Sequence, residues 1–124
     1  MTKKKGTSSS EKLSKLVVKG MLEKKAFDVA VLDLREIQNA VADYFVICSG
    51  NSDTQLDAIA DSIDEEVYKE LKENPWHHEG KNNKEWVLLD YVSVVAHIFK
   101  QDKRQYYGLE TLWGDAKIEL VTPD

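Results

Sequence analysis

Cysteine, proline and long apolar runs are all scarce in this chain, and each scarcity removes a class of protein. Cys48 is the only cysteine, which excludes an internal disulfide and a cysteine-rich zinc site and fits a reducing compartment. Apolar stretches are short, for example residues 44–48 and 94–96, with Ile98 and Phe99 beyond His97. They are far shorter than the roughly 20 residues a membrane helix requires. Lys3 to Lys5 lead into a polar run at residues 6–10 and not into an apolar signal core, so no secretory signal is read there. The expected location is the cytoplasm, with no membrane partner. Two prolines, 42% hydrophobic and 31% charged residues describe an ordinary globular chain and not a disordered one. At 124 residues, one core can be built.

The net charge of −5 is unevenly spread. Residues 1–25 carry eight lysines against Glu11 and Glu23, a balance of +6, and residues 26–124 carry nine Lys/Arg against twenty Asp/Glu, a balance of −11. An acidic body repels phosphate backbones and attracts basic proteins. Direct contact with nucleic acid is therefore not required by this reading. Residues 1–7 lack apolar periodicity and are expected to form a basic flexible tail, followed by one α/β domain over residues 8–121.

Ser8 and Glu11 have capping-box spacing, and Leu13, Leu16, Val17, Gly20 and Met21 recur on one face, so a helix is expected over residues 8–25. β-rich runs at residues 28–34 and 42–49 suggest two adjacent strands. Ser49-Gly50-Asn51-Ser52 then opens a helix whose apolar face is Leu56, Ile59, Ala60, Ile63, Val67 and Leu71. Asn74-Pro75 stops it. Further extended segments are expected at residues 76–80, 86–91 and 92–99, the last two with no strong turn signal between them, and short helices at 101–107 and 109–113. The sum is an α/β fold: a single domain with a mixed, mostly five-stranded sheet flanked by helices.

Catalytic spacings are hard to find. A phosphate loop needs the pattern G-x-x-x-x-G-K-[ST], which does not occur, so capping explains residues 49–52. Nucleotidyl transfer needs two carboxylates on one strand face to hold magnesium ions; Asp28 and Asp33 are five apart, which in a regular strand puts them on opposite faces, and Asp90 stands alone. In His77-His78-Glu79 only His77 and Glu79 can share a face, too few for a metal site. Cys48 lies in an apolar strand, where a thiol is usually inert packing. No cofactor, metal or catalytic residue is assigned.

Aromatic side chains concentrate late in the chain: Trp76, Trp86, Tyr91, Tyr106, Tyr107 and Trp113, beside Glu79, Glu85 and Asp90. Tryptophan and tyrosine are frequent interface anchors and equally frequent core residues. Trp86, Leu88 and Asp90 alternate onto one strand face. One reading makes Trp86 an anchor for a basic partner, with Glu79 and Asp90 supplying charge. The other makes Trp86 core and Asp90 a strand-end cap. Both stay open at the level of sequence.

Over residues 11–116 the chain resembles the ribosomal silencing factor family, also called Iojap-like. The resemblance is carried by Ala42-Asp43-Tyr44-Phe45-Val46-Ile47-Cys48-Ser49-Gly50-Asn51-Ser52 with Gln55, by Glu79-Gly80 followed by Trp86-Val87-Leu88-Leu89-Asp90, by residues 94–99 with His97, and by Tyr107-x-Leu109-Glu110-x-Leu112-Trp113. It implies a sheet similar to the nucleotidyltransferase fold without its catalytic residues. It also implies a partner, the large ribosomal subunit, bound through its fourteenth large-subunit protein at the subunit-joining face. There the factor would block the small subunit and lower translation when nutrients are scarce. Family members also tend to form homodimers. On this resemblance Trp86, Glu79, Gly80, Leu88 and Asp90 are the candidate partner-binding residues. The rival from the enzyme class is a nucleotide-dependent transferase on the same fold, and a general RNA-binding module is the third reading.

Overall fold

The computed structural model describes residues 2–82 and 84–122, with side chains from Ser9 onward. Its elements follow the order α1 (Thr2–Glu23), β1 (Phe27–Asp33), β2 (Tyr44–Gly50), α2 (Asp53–Leu71), β3 (His77–Glu79), β4 (Trp86–Asp90), β5 (Val94–Lys100), α3 (Gln101–Tyr107), α4 (Leu109–Leu112) and β6 (Lys117–Val121). The helix expected to begin at Ser8 begins at Thr2 and takes in the backbone of the lysine-rich segment.

The sheet has six strands in the order β3-β4-β5-β2-β1-β6, one more than the sequence suggested. The added strand, β6, pairs antiparallel with β1, Asp33 facing Lys117 and Val29 facing Val121. It is short and almost wholly exposed, and its Ile118 and Leu120 alternate with Lys117 and Glu119, a strand pattern that the expected elements did not include. β1 and β2 are antiparallel, as expected of adjacent strands, while β2 and β5 form a parallel ladder, Tyr44 with Val94 through Gly50 with Lys100. Mixed pairing follows from connectivity: β2 reaches β5 only by way of α2, β3 and β4, whereas β4 and β5 are joined directly.

Alternation along the strands gives each sheet face its own core. Val29, Tyr44, Val46, Cys48, Val87, Leu89, Ala96 and Ile98 face α1 and α2. Ala30, Leu32, Phe45, Ile47, Val95 and Phe99 face the opposite way, toward Leu109 of α4 and the residues 34–42 segment. The two helices on the first face approach closely at Gly20, where a Cβ would lie 2.7 Å from the Ile63 Cα. Ser62 Oγ donates to the Gly20 carbonyl there at 2.8 Å.

The start of α2 carries the capping chemistry expected of residues 49–52. Ser52 Oγ accepts from Gln55 N–H at 3.1 Å, and Gln55 Oε1 accepts from Asn51 N–H at 2.6 Å. Gln55 Nε2 also donates to the carbonyls of Lys24 and Lys25, both at 3.1 Å, and so ties α2 to the end of α1.

Between β4 and β5 the chain reverses in three residues. Asp90 Oδ1 accepts from Val92 N–H at 2.7 Å, and Tyr91 N–H reaches the Val94 carbonyl at 2.9 Å. Val92 sits at φ 76°, a left-handed conformation that a β-branched residue rarely adopts. This explains why the sequence shows no turn signal: a valine occupies the position where glycine or asparagine would announce one.

Candidate functional site

Strand register brings the candidate residues onto one face. Leu88 pairs with Glu79 and with His97, Asp90 with His77 and Val95, and Trp86 with Phe99. Directly opposed strand residues share a face, so His77, Glu79, Trp86, Leu88 and Asp90 all project from the second face, on β3 and β4. Glu79 is exposed, and Trp86, Leu88 and Asp90 are half-buried.

Trp86 forms the inner wall of this face. Its ring stacks on Phe99 at 5.0 Å and 28° and lies 4.9 Å from Tyr107, and its indole N–H donates to His97 Nδ1 at 3.0 Å. His97 is 3% exposed and packs edge-on against Phe45 at 4.6 Å. Burial drives its pKa down to about 3, so the ring is neutral at ordinary pH. Because Nδ1 accepts, the proton of this neutral ring lies on Nε2, which is buried and has no hydrogen-bond partner.

Asp90 caps the β4–β5 turn through Val92, as the structural alternative required. One carboxylate oxygen is engaged there, and the residue stays half-exposed beside the groove. His77 Nε2 and Glu79 Oε2 are 2.7 Å apart and both exposed. Gly80 holds φ 87°, and a Cβ there would fall 1.9 Å from the Trp86 carbonyl oxygen. Its contribution to the site is thus to let β3 turn back close against β4, since only glycine fits.

Beside these residues lies a shallow groove of about 550 Å³ lined by Val41, Trp76, His77, Asp90, Val92 and Val95. Val41, Trp76 and Val92 are 72%, 67% and 60% exposed, a grouping of bare apolar surface beside His77 and Asp90. Trp76 was visible in the sequence as one of the late aromatics. Val41 and Val92 carried no signal, because their exposure depends on a loop and a turn that meet only in three dimensions.

Asp33 takes three hydrogen bonds from Arg35, at 3.0, 2.9 and 2.6 Å, and its carboxyl is held below the usual range by them. A depression of about 690 Å³ on the first face, between α1 and the β1–β6 edge, includes this pair and Tyr44, over whose ring the Arg35 guanidinium lies at 5.0 Å. Within it Asp33 and Arg35 are paired with each other, while Lys19 and Lys117 of its lining pair outward with Glu66 and Glu36. Arg104, unremarked in the sequence, fastens α3 to the sheet: it donates to Ser49 Oγ at 3.0 Å, to the Asp28 carbonyl, and to both oxygens of Glu110 at 3.3 and 2.8 Å. Cys48 is fully buried, burial raises its pKa, and it faces away from His97, because its ladder partner is Ile98 while that of His97 is Ile47. Among the described residues no group of three or more His, Cys, Asp or Glu side chains is arranged to hold a metal ion, and no helix is long and apolar enough to cross a membrane.

Comparison with known proteins agrees with this architecture. A crystal structure of a Chromobacterium violaceum protein superposes with a TM-score of 0.78 and 29% identity, covering 90% of this chain and 92% of that one. The Halalkalibacterium halodurans protein named ribosomal silencing factor RsfS is 42% identical over 108 residues, 87% of this chain and 91% of its own length. A Mus musculus protein named for mitochondrial assembly of the ribosomal large subunit is 33% identical over 101 residues, 79% of this chain and 43% of its own. Residues 7–124 match the family described as ribosomal silencing factor during starvation, and the chain belongs to that family.

Proposed function

We propose that this protein binds the large ribosomal subunit through its fourteenth large-subunit protein and, by occupying the subunit-joining face, blocks association of the small subunit and represses translation under nutrient limitation. It acts without a cofactor, in the cytoplasm, as a homodimer. The observation that carries the reading is the open second face, where exposed Trp76, Val41 and Val92 adjoin Asp90, with Glu79 on the neighbouring strand, in a chain of this family. Apolar anchors rimmed by carboxylates suit a basic protein, and the acidic body of the chain repels naked RNA. Trp86, Leu88 and Gly80 complete the surface, Trp86 by its ring alone, since its N–H is already given to His97.

Sedimentation with purified subunits tests this. The protein should comigrate with large subunits and reduce the yield of joined ribosomes in proportion to its concentration. Trp86→Ala should weaken comigration by about 2 kcal/mol, the cost of truncating an interface anchor, while the variant remains folded. Failure of the wild-type protein to comigrate at micromolar concentration would overturn the assignment.

A further inference from the structure

We infer that His97 is a positioning residue for the partner contact: by accepting the Trp86 indole N–H from beneath, it fixes which edge of that ring the second face presents. The inference rests on the reading of this face as the docking surface.

A tryptophan side chain at a strand position can lie in two ring orientations related by rotation about its second side-chain dihedral, which is broad for aromatic rings. One turns the N–H toward the sheet and the other turns it outward. Stacking on Phe99 at 28° constrains the ring plane in either case, with Tyr107 tilted against the same ring at 48°, because a face-to-face contact is indifferent to which edge carries the nitrogen. The hydrogen bond to His97 Nδ1 at 3.0 Å breaks that tie. His97 is itself immobilised, 3% exposed and held edge-on by Phe45. The acceptor is thus rigid before any partner arrives, and preorganisation of this kind removes an ordering cost from binding.

The chemical consequence concerns specificity. With its N–H turned inward, Trp86 offers a partner only carbon: a ring edge suited to aliphatic side chains or to the methylene stems of lysine and arginine. It offers no hydrogen bond to a carbonyl. Glu79, on the paired strand of the same face, remains to receive the cationic ends of such stems. Without His97 as acceptor the indole would either bury an unsatisfied donor or turn its N–H outward.

The test begins with the wild-type protein, in which nitrogen-15 spectra of the histidines and the tryptophan indoles read the arrangement directly. His97 should show an unprotonated Nδ1 and a protonated Nε2, with the Trp86 indole proton slow to exchange; a protonated Nδ1 would overturn the inference whatever the ribosome does. Next, His97→Phe, which removes the acceptor while keeping an aromatic ring, should lose that exchange protection and bind large subunits at least tenfold more weakly. His97→Asn, which restores an acceptor, should recover most of the affinity. In a Trp86→Phe background, His97→Phe should have no further effect on binding. An equal loss in both backgrounds, or wild-type affinity for His97→Phe, would show that His97 does not act through Trp86. Failure of the wild-type protein to bind subunits would instead strike the proposed function, leaving the spectroscopic result to stand by itself.

Discussion

Replacing Val92 with glycine should make the protein more stable, although it deletes an apolar side chain. Val92 holds φ 76°, and an L-residue in the left-handed region carries roughly 1–2 kcal/mol of steric cost, more for a branched Cβ. Glycine removes that cost entirely but gives back about 0.5–1 kcal/mol through the greater freedom of its unfolded chain. Because Val92 is 60% exposed, the packing lost with its side chain is a minor fraction of the roughly 1.5–3 kcal/mol that full burial of such a side chain contributes. The hydrogen bond from its N–H to Asp90 involves only backbone on the Val92 side and survives the change. The net expectation is a gain of about 0.5–1 kcal/mol, or roughly 2–5 °C in Tm for a domain of this size. Urea denaturation followed by circular dichroism measures it, with an unchanged m-value to certify that the unfolded reference is the same. Val92→Asn should gain less and Val92→Ala should be near neutral, since alanine keeps a Cβ in the left-handed region. A Val92→Gly variant less stable than wild type would show that the turn is not strained and that the exposed valine is held by contacts.

At the α1–α2 contact, Gly20→Ala should cost about 2 kcal/mol or more, because the added methyl would meet backbone of Ile63 at 2.7 Å and 2.9 Å and not a movable side chain; an unchanged denaturation midpoint would contradict the close approach. Acid should weaken the fold through His97. Its folded pKa lies near 3 against 6.5 when unfolded, so between those values the unfolded chain binds a proton that the folded chain refuses. The stabilisation is fully present above pH 6.5 and is lost as pH falls below it, by about 1.4 kcal/mol per unit. Denaturation midpoints at pH 7.5, 6.0 and 5.0 should show this slope in the wild type and a shallower one in His97→Phe, and equal slopes would refute it.

What the sequence made legible was whatever depends on periodicity or local chemistry. α2 could be read because Leu56, Ile59, Ala60, Ile63 and Val67 repeat at helical spacing, and all of them are buried. β2 could be read because every residue from Tyr44 to Gly50 is apolar or small, as suits a strand buried on both faces. β6 went unread although Ile118 and Leu120 alternate with Lys117 and Glu119, because the run is only five residues long and buries neither of them, and the β4–β5 turn escaped because its key position is a strained valine. The site was half visible: alternation placed Trp86, Leu88 and Asp90 on one face, as found. The indole–imidazole bond could not be foreseen, because it links positions 86 and 97 through a register that only strand pairing fixes. Sequence alone also could not choose between Asp90 as a cap and as a binding residue. Its one engaged oxygen and half-exposed position show that the two are compatible.

The placement of β6 against β1 has a consequence for synthesis. β1 joins β2 early, but its other edge is closed only by residues 117–121. At roughly 5–20 residues per second of translation, the backbone edge of Val29 to Asp33 stays open for on the order of ten seconds after it leaves the exit tunnel. During that interval an apolar strand edge is available for mispairing with neighbouring nascent chains. The exposed character of β6 suits it to be the late arrival: Ile118 and Leu120 stay exposed even when it is paired, so the strand loses little by waiting in water, and it closes the edge when it comes.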